Sequence, residues 1–331
     1  MMKQFVVTII CILGIPILVA LSIYLWTDPF RCLHTFDIEN TDATNREYLS
    51  TELYLHNRDS IQYNSFIFAS SRGCGLNTYQ WKQYLCEDSQ PFLFQGWSET
   101  LTGEYLKIKF LDESGVQIKN AILMFDIPGT FGKPQLSHKA LDMKHFMFTG
   151  GNRFAYNAYQ FYNFLQKPSS WIKSIKKRNI KEPYCADLIS NDWDANNCND
   201  YMELPPQDSL KNCTTTTRNS FYARINGKTL EDVKISAPVI DKSMENLLKE
   251  IKAIFDKQHT NYAIVISPGI CYTSSSINSI DLQILEQIFG NSNVYNYAGI
   301  NEFTVDVNNF SDPGHFGRRV GFLIMKDIYE K

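Results

Sequence analysis

Residues 120–127 read Asn-Ala-Ile-Leu-Met-Phe-Asp-Ile, a nearly continuous apolar run without the alternation of a half-exposed strand. A run of this kind suits a strand covered on both faces, as in a parallel sheet with helices on each side. Similar short runs occur at 65–70 (SFIFAS), 91–95 (PFLFQ), 262–267 (YAIVIS) and 293–297. Helical spacing fills the gaps between them. Leu76, Tyr79, Trp81, Tyr84 and Leu85 suit one amphipathic helix, and 101–112 a second with Leu101, Tyr105, Ile108, Phe110 and Leu111 inward. Residues 241–258 give a third, with Met244, Leu247, Leu248, Ile251, Ile254 and Phe255 on one face. Residues 279–289 give a fourth, and a last helix opens at His315 and runs to Tyr329. Five strands alternating with helices predict an α/β fold: a doubly wound, flavodoxin-like parallel sheet with right-handed crossovers.

The rhythm breaks twice. From 128 to 237 it gives way to aromatic helical segments, a basic stretch and Asn/Asp/Thr-rich loops, read as a long insertion in one domain spanning 61–331. Residues 28–60 are polar and mixed, a stalk or a wrap-around arm. Ahead of them, 5–26 is a stretch of 22 residues without a charge. As a helix it would cross the ~30 Å hydrocarbon layer. Tyr24 and Trp26 stand where interfacial aromatics belong, and Pro16 is tolerable there. A cleaved signal peptide competes, with Ala20 and Ser22 as small-residue sites, but the run exceeds the usual h-region. Residues 1–27 are therefore read as a transmembrane anchor. Lys3 before the span and Arg31 and Arg46 after it barely bias orientation. A short tail ahead of a single span usually stays inside, which places the domain outside the cytoplasm, on the periplasmic or extracellular face.

With 44% hydrophobic and 20% charged residues the chain has globular composition. A formal charge of −3 offers no concentrated basic surface for nucleic acid. Seven of the eight cysteines follow the anchor. Three crowd into 185–213, where an oxidising compartment would favour a disulfide between Cys185 and Cys198, with Cys198–Cys213 as the rival. Cys74 and Cys86 are poor partners, because twelve helical steps would separate them by roughly 18 Å. Buried reduced thiols are the alternative for most of these positions. Residues 171–181 (WIKSIKKRNIK) carry five basic side chains, suited to an anionic lipid surface, an acidic glycan or simply a solvated helix face. No phosphate loop, dinucleotide fingerprint or zinc spacing appears, so no cofactor or metal is expected. The remaining histidines receive no ligand role.

Functional groups of a parallel sheet gather at the carboxyl ends of its strands. Two sets fall there. Ser70–Ser71 follows the first strand, and Asp312-Pro313-Gly314-His315 precedes the final helix. A serine hydroxyl needs a base to take its proton, and a carboxylate can orient that base. Taken singly, each set also suits a helix cap.

The run Phe66-Ile67-Phe68-Ala69-Ser70-Ser71-Arg72 resembles the first motif block of the SGNH (GDSL-type) hydrolases, in the Gly-Ser-Ser-Arg variant of bacterial envelope acylation proteins. Phe310-Ser311-Asp312-Pro313-Gly314-His315-Phe316 resembles their last block, and Phe94-Gln95-Gly96-Trp97 is similar to the second. The likeness covers roughly 60–127 and 238–330. It implies Ser71 as nucleophile, His315 as base and Asp312 as its orienting acid, with Arg72, Gly96 and Thr130 around the oxyanion. The family's first-block Gly and Asp are Ala69 and Ser70 here. Its third block, Gly-x-Asn-Asp, is absent: the strand ends Phe125-Asp126-Ile127-Pro128-Gly129-Thr130. Loss of one oxyanion donor can cost ~10²–10³ in rate. The anchored topology resembles proteins that O-acylate alginate or teichoic acids. It implies a carbohydrate or acyl-ester substrate and a membrane acyl-donor protein as partner. The activity is an esterase or an O-acyltransferase; the alternative is a non-catalytic scaffold of a polysaccharide machine.

Overall fold

The computed structural model describes residues 2–9, 12, 14–33, 45–132, 136, 143–178, 186–193, 229 and 233–330. Its first half comprises helices α1 (Met2–Ile9), α2 (Ile15–Thr27) and α3 (Arg46–Ile61), strand β1 (Ser65–Ala69), the short helix α4 (Thr78–Lys82), strand β2 (Pro91–Gln95), helix α5 (Leu101–Glu113) and strand β3 (Asn120–Phe125). Helices α6 (Phe146–Thr149), α7 (Arg153–Leu165), α8 (Pro168–Arg178) and α9 (Lys242–Gln258) follow. Strand β4 (Asn261–Ile266), helix α10 (Ser279–Phe289), strand β5 (Val294–Asn296), the ladder of β6 (Phe310–Asp312) and β7 (His315–Phe316), and helix α11 (Arg318–Tyr329) complete the chain.

The five strands form one all-parallel sheet in the order β2-β1-β3-β4-β5, the order of flavodoxin-like sheets. Alternate side chains feed two separate cores. Phe66, Phe68, Phe92, Phe94, Leu123, Phe125, Ile264 and Ile266 point to one, completed by α5, α9 and α10. Ile67, Ala69, Leu93, Ile122, Met124 and Val265 point to the other, completed by Trp81 and α11. All six residues of β3 are buried, which is why an unbroken apolar run was needed there. Asp241 caps α9 by accepting the Met244 N–H at 2.9 Å, an interaction worth about 1 kcal/mol.

Of the stretch read as a stalk or a wrap-around arm, residues 46–61 form α3, packed on β2, with Tyr48, Leu49, Leu53 and Tyr54 buried. His315 does not open a helix, because the Pro313–Gly314 turn folds β7 back on β6 and α11 starts three residues later, at Arg318. Of the 5–26 run, residues 5–9 lie in α1 and 15–26 in α2, and among the described residues no helix is long and apolar enough to cross a membrane. Within the insertion lie α6, α7 and α8, with α7 and α8 packed against α2.

A buried charge cluster fills the gap between α3, the β2–α5 loop, α5 and Lys144 just ahead of α6. Lys107 Nζ lies 3.1 Å from Glu47 Oε2 and Lys144 Nζ 3.3 Å from the same atom, and both ammonium groups also bond Glu99. Burial alone would raise the Glu99 carboxyl, but the two lysines hold it well below the ordinary range. Glu104 is different. It is fully buried, neither of its oxygens has a hydrogen-bond partner, and burial, with Glu99 and Asp126 nearby, pushes its carboxyl far above the ordinary value. The folded state therefore binds a proton at Glu104 that the unfolded chain releases above about pH 4.5. Stability falls as pH rises through that window. Glu104→Gln removes the loss, so its melting temperature should match the parent near pH 4 and exceed it by a few degrees near pH 8. Thermal melts across that range would refute this by showing a difference independent of pH.

Candidate active site

Strand β1 delivers its chain directly into the site. Ala69 is its last residue, Ser70 stays extended, and Ser71 opens a 3₁₀ turn through Gly75. Small residues let the late part of the chain settle on that turn. A Cβ at Gly75 would stand 2.4 Å from the Phe316 ring, and one at Gly321 would stand 2.0 Å from the Gly75 carbonyl oxygen. Without those two glycines β7 and α11 could not reach this depth.

That approach completes a hydrogen-bonded chain. His315 Nε2 lies 2.9 Å from Ser71 Oγ, and His315 Nδ1 lies 2.7 Å from Asp312 Oδ2. The structure thus brings together the three side chains expected from opposite ends of the sequence. The other carboxylate oxygen of Asp312 accepts the N–H groups of Gly314 (2.8 Å) and His315 (3.1 Å). Burial by itself would raise the Asp312 carboxyl, but the hydrogen bond and charge of His315 and these two N–H groups hold it below the ordinary value. An ionised carboxylate can only accept, so Nδ1 carries the proton and Nε2 is left to accept from the Ser71 hydroxyl. The loop is fixed from outside as well. The Pro313 carbonyl accepts from the Ile270 N–H at 3.0 Å and the Ser274 hydroxyl at 3.2 Å. About a third of each of the Asp312 and His315 side chains remains exposed, which leaves the serine–histidine contact open to a substrate.

A second carboxylate, not anticipated from the sequence, stands at the end of β3. Asp126 accepts a short hydrogen bond from the Ser70 hydroxyl, and its second oxygen lies 3.7 Å from Arg72 Nε. The Arg72 guanidinium in turn packs against the backbone at Gly269 and Gly314, where an added Cβ would come within 3.5 Å and 3.3 Å of it. Asp126 therefore ties the residues on both sides of Ser71 to the neighbouring strand. Its position was the available signal: it is a carboxylate at the carboxyl end of a fully buried strand.

Two of the residues expected around an oxyanion are engaged otherwise. The Gly96 N–H donates to the Ala69 carbonyl at 3.1 Å, extending the β1–β2 ladder, and a Cβ there would collide with Glu47 and Glu99. Thr130 is 1% exposed and closes the turn after β3. Its Oγ1 accepts the Asp126 N–H at 2.9 Å and its own N–H donates to the Asp126 carbonyl at 2.8 Å. Arg72 stays at the site, with its N–H 3.2 Å from Ser70 Oγ. Cys185 and Cys198, and their rival Cys213, lie outside the described residues. Cys32, Cys74, Cys86 and Cys271 are free thiols. His145, one of the unassigned histidines, is buried and bonded to Glu52 at 2.9 Å. No known protein family and no curated protein matches this chain.

Asp126 bonds Ser70 and Arg72 and makes no hydrogen bond to Ser71 or His315, so under the hydrolase activity that the sequence resemblance implies its loss should be graded. Asp126→Asn should lower kcat about 10–100-fold with KM little changed, since a shift of Ser71 by a fraction of an ångström weakens attack geometry. A KM rise with kcat intact in acetyl-ester turnover would refute a positioning role.

Proposed function

We propose that this chain is an SGNH-type serine esterase or O-acyltransferase acting on an acyl ester, most simply acetyl, of a cell-envelope polysaccharide. The observation that carries the reading is the Ser71–His315–Asp312 chain, with contacts of 2.9 Å and 2.7 Å. Those distances lie within the range in which a base can take a proton from a nucleophile. Ser71 Oγ attacks the acyl carbonyl carbon while its proton passes to His315 Nε2, and Asp312 stabilises the imidazolium. The ring then returns the proton to the departing alkoxide, leaving an acyl-serine. Water or a sugar hydroxyl, deprotonated by the same nitrogen, attacks that ester and restores Ser71. The acceptor decides between esterase and transferase. Arg72, held by Asp126, contributes positive charge beside Ser71. The uncharged run at 5–26 supports placing the body at a membrane outside the cytoplasm, next to envelope glycans and a membrane-borne acyl donor.

A second reading is a non-catalytic scaffold built on the same fold. What favours it is that the Gly96 N–H and Thr130 are engaged within the protein. One experiment separates the two. Purified full-length chain is incubated with a chromogenic acetyl ester, and the peptide containing Ser71 is analysed for an acyl adduct. Turnover and adduct that both vanish in Ser71→Ala establish the enzyme. No turnover and no adduct, with or without a glycan acceptor, leaves the scaffold.

A further inference from the structure

Helix α7 is aromatic on two sides. Its inner stripe, Tyr156, Gln160 and Phe164, is buried at four-residue spacing. Phe164 and Phe161 meet the ring of Tyr24 on α2 at 5.5 Å and 5.4 Å between centroids. Its outer stripe repeats the same spacing with Phe154, Ala158 and Tyr162, and there Phe154 is 83% and Tyr162 53% exposed. Helix α8 is pinned alongside. Trp171 stacks on Phe164 and donates its indole N–H to the Phe164 carbonyl at 3.0 Å. Beyond that anchor point α8 presents Ile172, 61% exposed, and the exposed Lys173 and Lys176, with Lys167 just ahead of the helix.

Both helices grip only one end of the apolar N-terminal segment. Ala20, Tyr24 and Thr27 of α2 are buried, whereas Ile15, Ile17, Leu18 and Val19 are exposed. The charge pattern is equally one-sided. Residues 154–178 contain five Lys and Arg and no Asp or Glu, and Lys167, Lys173 and Lys176 are exposed. Exposed cations without carboxylates among them suit a surface that lies on phosphates.

We infer that α7 and α8 form an interfacial collar on an anionic lipid bilayer. They surround the point where the N-terminal segment leaves the body. Phe154, Tyr162 and Ile172 enter the boundary between headgroups and acyl chains, and Lys167, Lys173 and Lys176 face lipid phosphates. This rests on the membrane-anchored part of the proposed function and extends it: the anchor is not a tether, because the body itself lies on the leaflet. The lipid surface is favoured over a second copy of the chain because the exposed charges beside it, Lys167, Lys173 and Lys176, are of one sign, which two copies would bring into repulsion.

The test uses the full-length chain in vesicles, with the photoreactive amino acid benzoylphenylalanine replacing Phe154 or Tyr162, and Tyr79 on α4 (76% exposed) as the control position. Phospholipid adducts at 154 and 162 should exceed those at 79 by about tenfold or more. They should fall several-fold when phosphatidylglycerol is replaced by phosphatidylcholine, or in Lys173→Glu/Lys176→Glu. Vesicle-bound chain with no lipid adduct at 154 and 162 above the control overturns the collar and leaves the anchor standing. Adducts to a second copy at these positions overturn it in favour of a dimer face. Chain that stays in the supernatant removes both collar and anchor.

Discussion

Alanine at position 71 is expected to lower kcat for acetyl-ester turnover by roughly 10⁵–10⁶-fold, and alanine at 315 by about as much, with the double variant no slower than either alone. The lack of additivity is the informative part. Ser71 Oγ and His315 Nε2 share one proton across 2.9 Å, so removing either partner abolishes the same step. Asp312→Asn should cost less, about 10⁴-fold. Asparagine can still accept the Gly314 and His315 N–H groups, but its amide can donate to Nδ1 and so reverses the proton position on the ring. Circular dichroism would show the variants folded, and steady-state rates would supply the cycle. Independent, multiplicative losses at 71 and 315 would mean that the two side chains are neighbours without being partners, and the acyl-serine mechanism would be lost with them.

How much of this was legible depends on what each segment buries. The strands could be read because both of their faces are apolar, as in β3, where Ile122 and Met124 serve one core and Leu123 and Phe125 the other. The serine and histidine blocks could be read because each sits at a strand end. Helix α3 could not. Its sequence, REYLSTELYLHNRDSI, looks like a solvated arm because much of its buried face is polar: Arg46 bonds Asn191 at 2.8 Å, Glu47 bonds Lys107, and Glu52 bonds His145 and Arg153. Hydrophobic periodicity does not register contacts made by charged partners far apart in the chain. The bonding of Gly96 was illegible for another reason. Whether its N–H is free depends on how β2 is registered on β1, with Ala69 opposite Gln95, and register is set by tertiary packing. His315 was placed in a helix because its downstream spacing is helical, yet two residues of hairpin at Pro313–Gly314 were enough to move it onto β7.

The polar face of α3 leads to the second large effect. Lys107→Met is expected to destabilise the protein by about 3–5 kcal/mol, since removing one member of a buried ion network leaves its partners charged and unsolvated. Lys107 is fully buried between Glu47 and Glu99, and its loss leaves two carboxylates sharing Lys144 alone. For a domain of this size that corresponds to a fall of about 10 °C in melting temperature. Adding Glu47→Gln should restore a good part of it, because one cation then faces one carboxylate. Glu99→Gln should restore less, since Glu99 is the carboxyl that both lysines hold ionised, whereas burial and the charge of Glu99 push Glu47 upward. The cluster also lies directly under Gly96, whose N–H is bonded to the end of the serine-bearing strand. The destabilised variant should therefore lose ester turnover at temperatures below its global melt, as the β1–β2 edge loosens first. Thermal melts of the single and double variants, read beside activity against temperature, decide it: a Lys107→Met protein within 1 kcal/mol of the parent, or a double variant no better than the single, would mean that water enters the cluster and screens it.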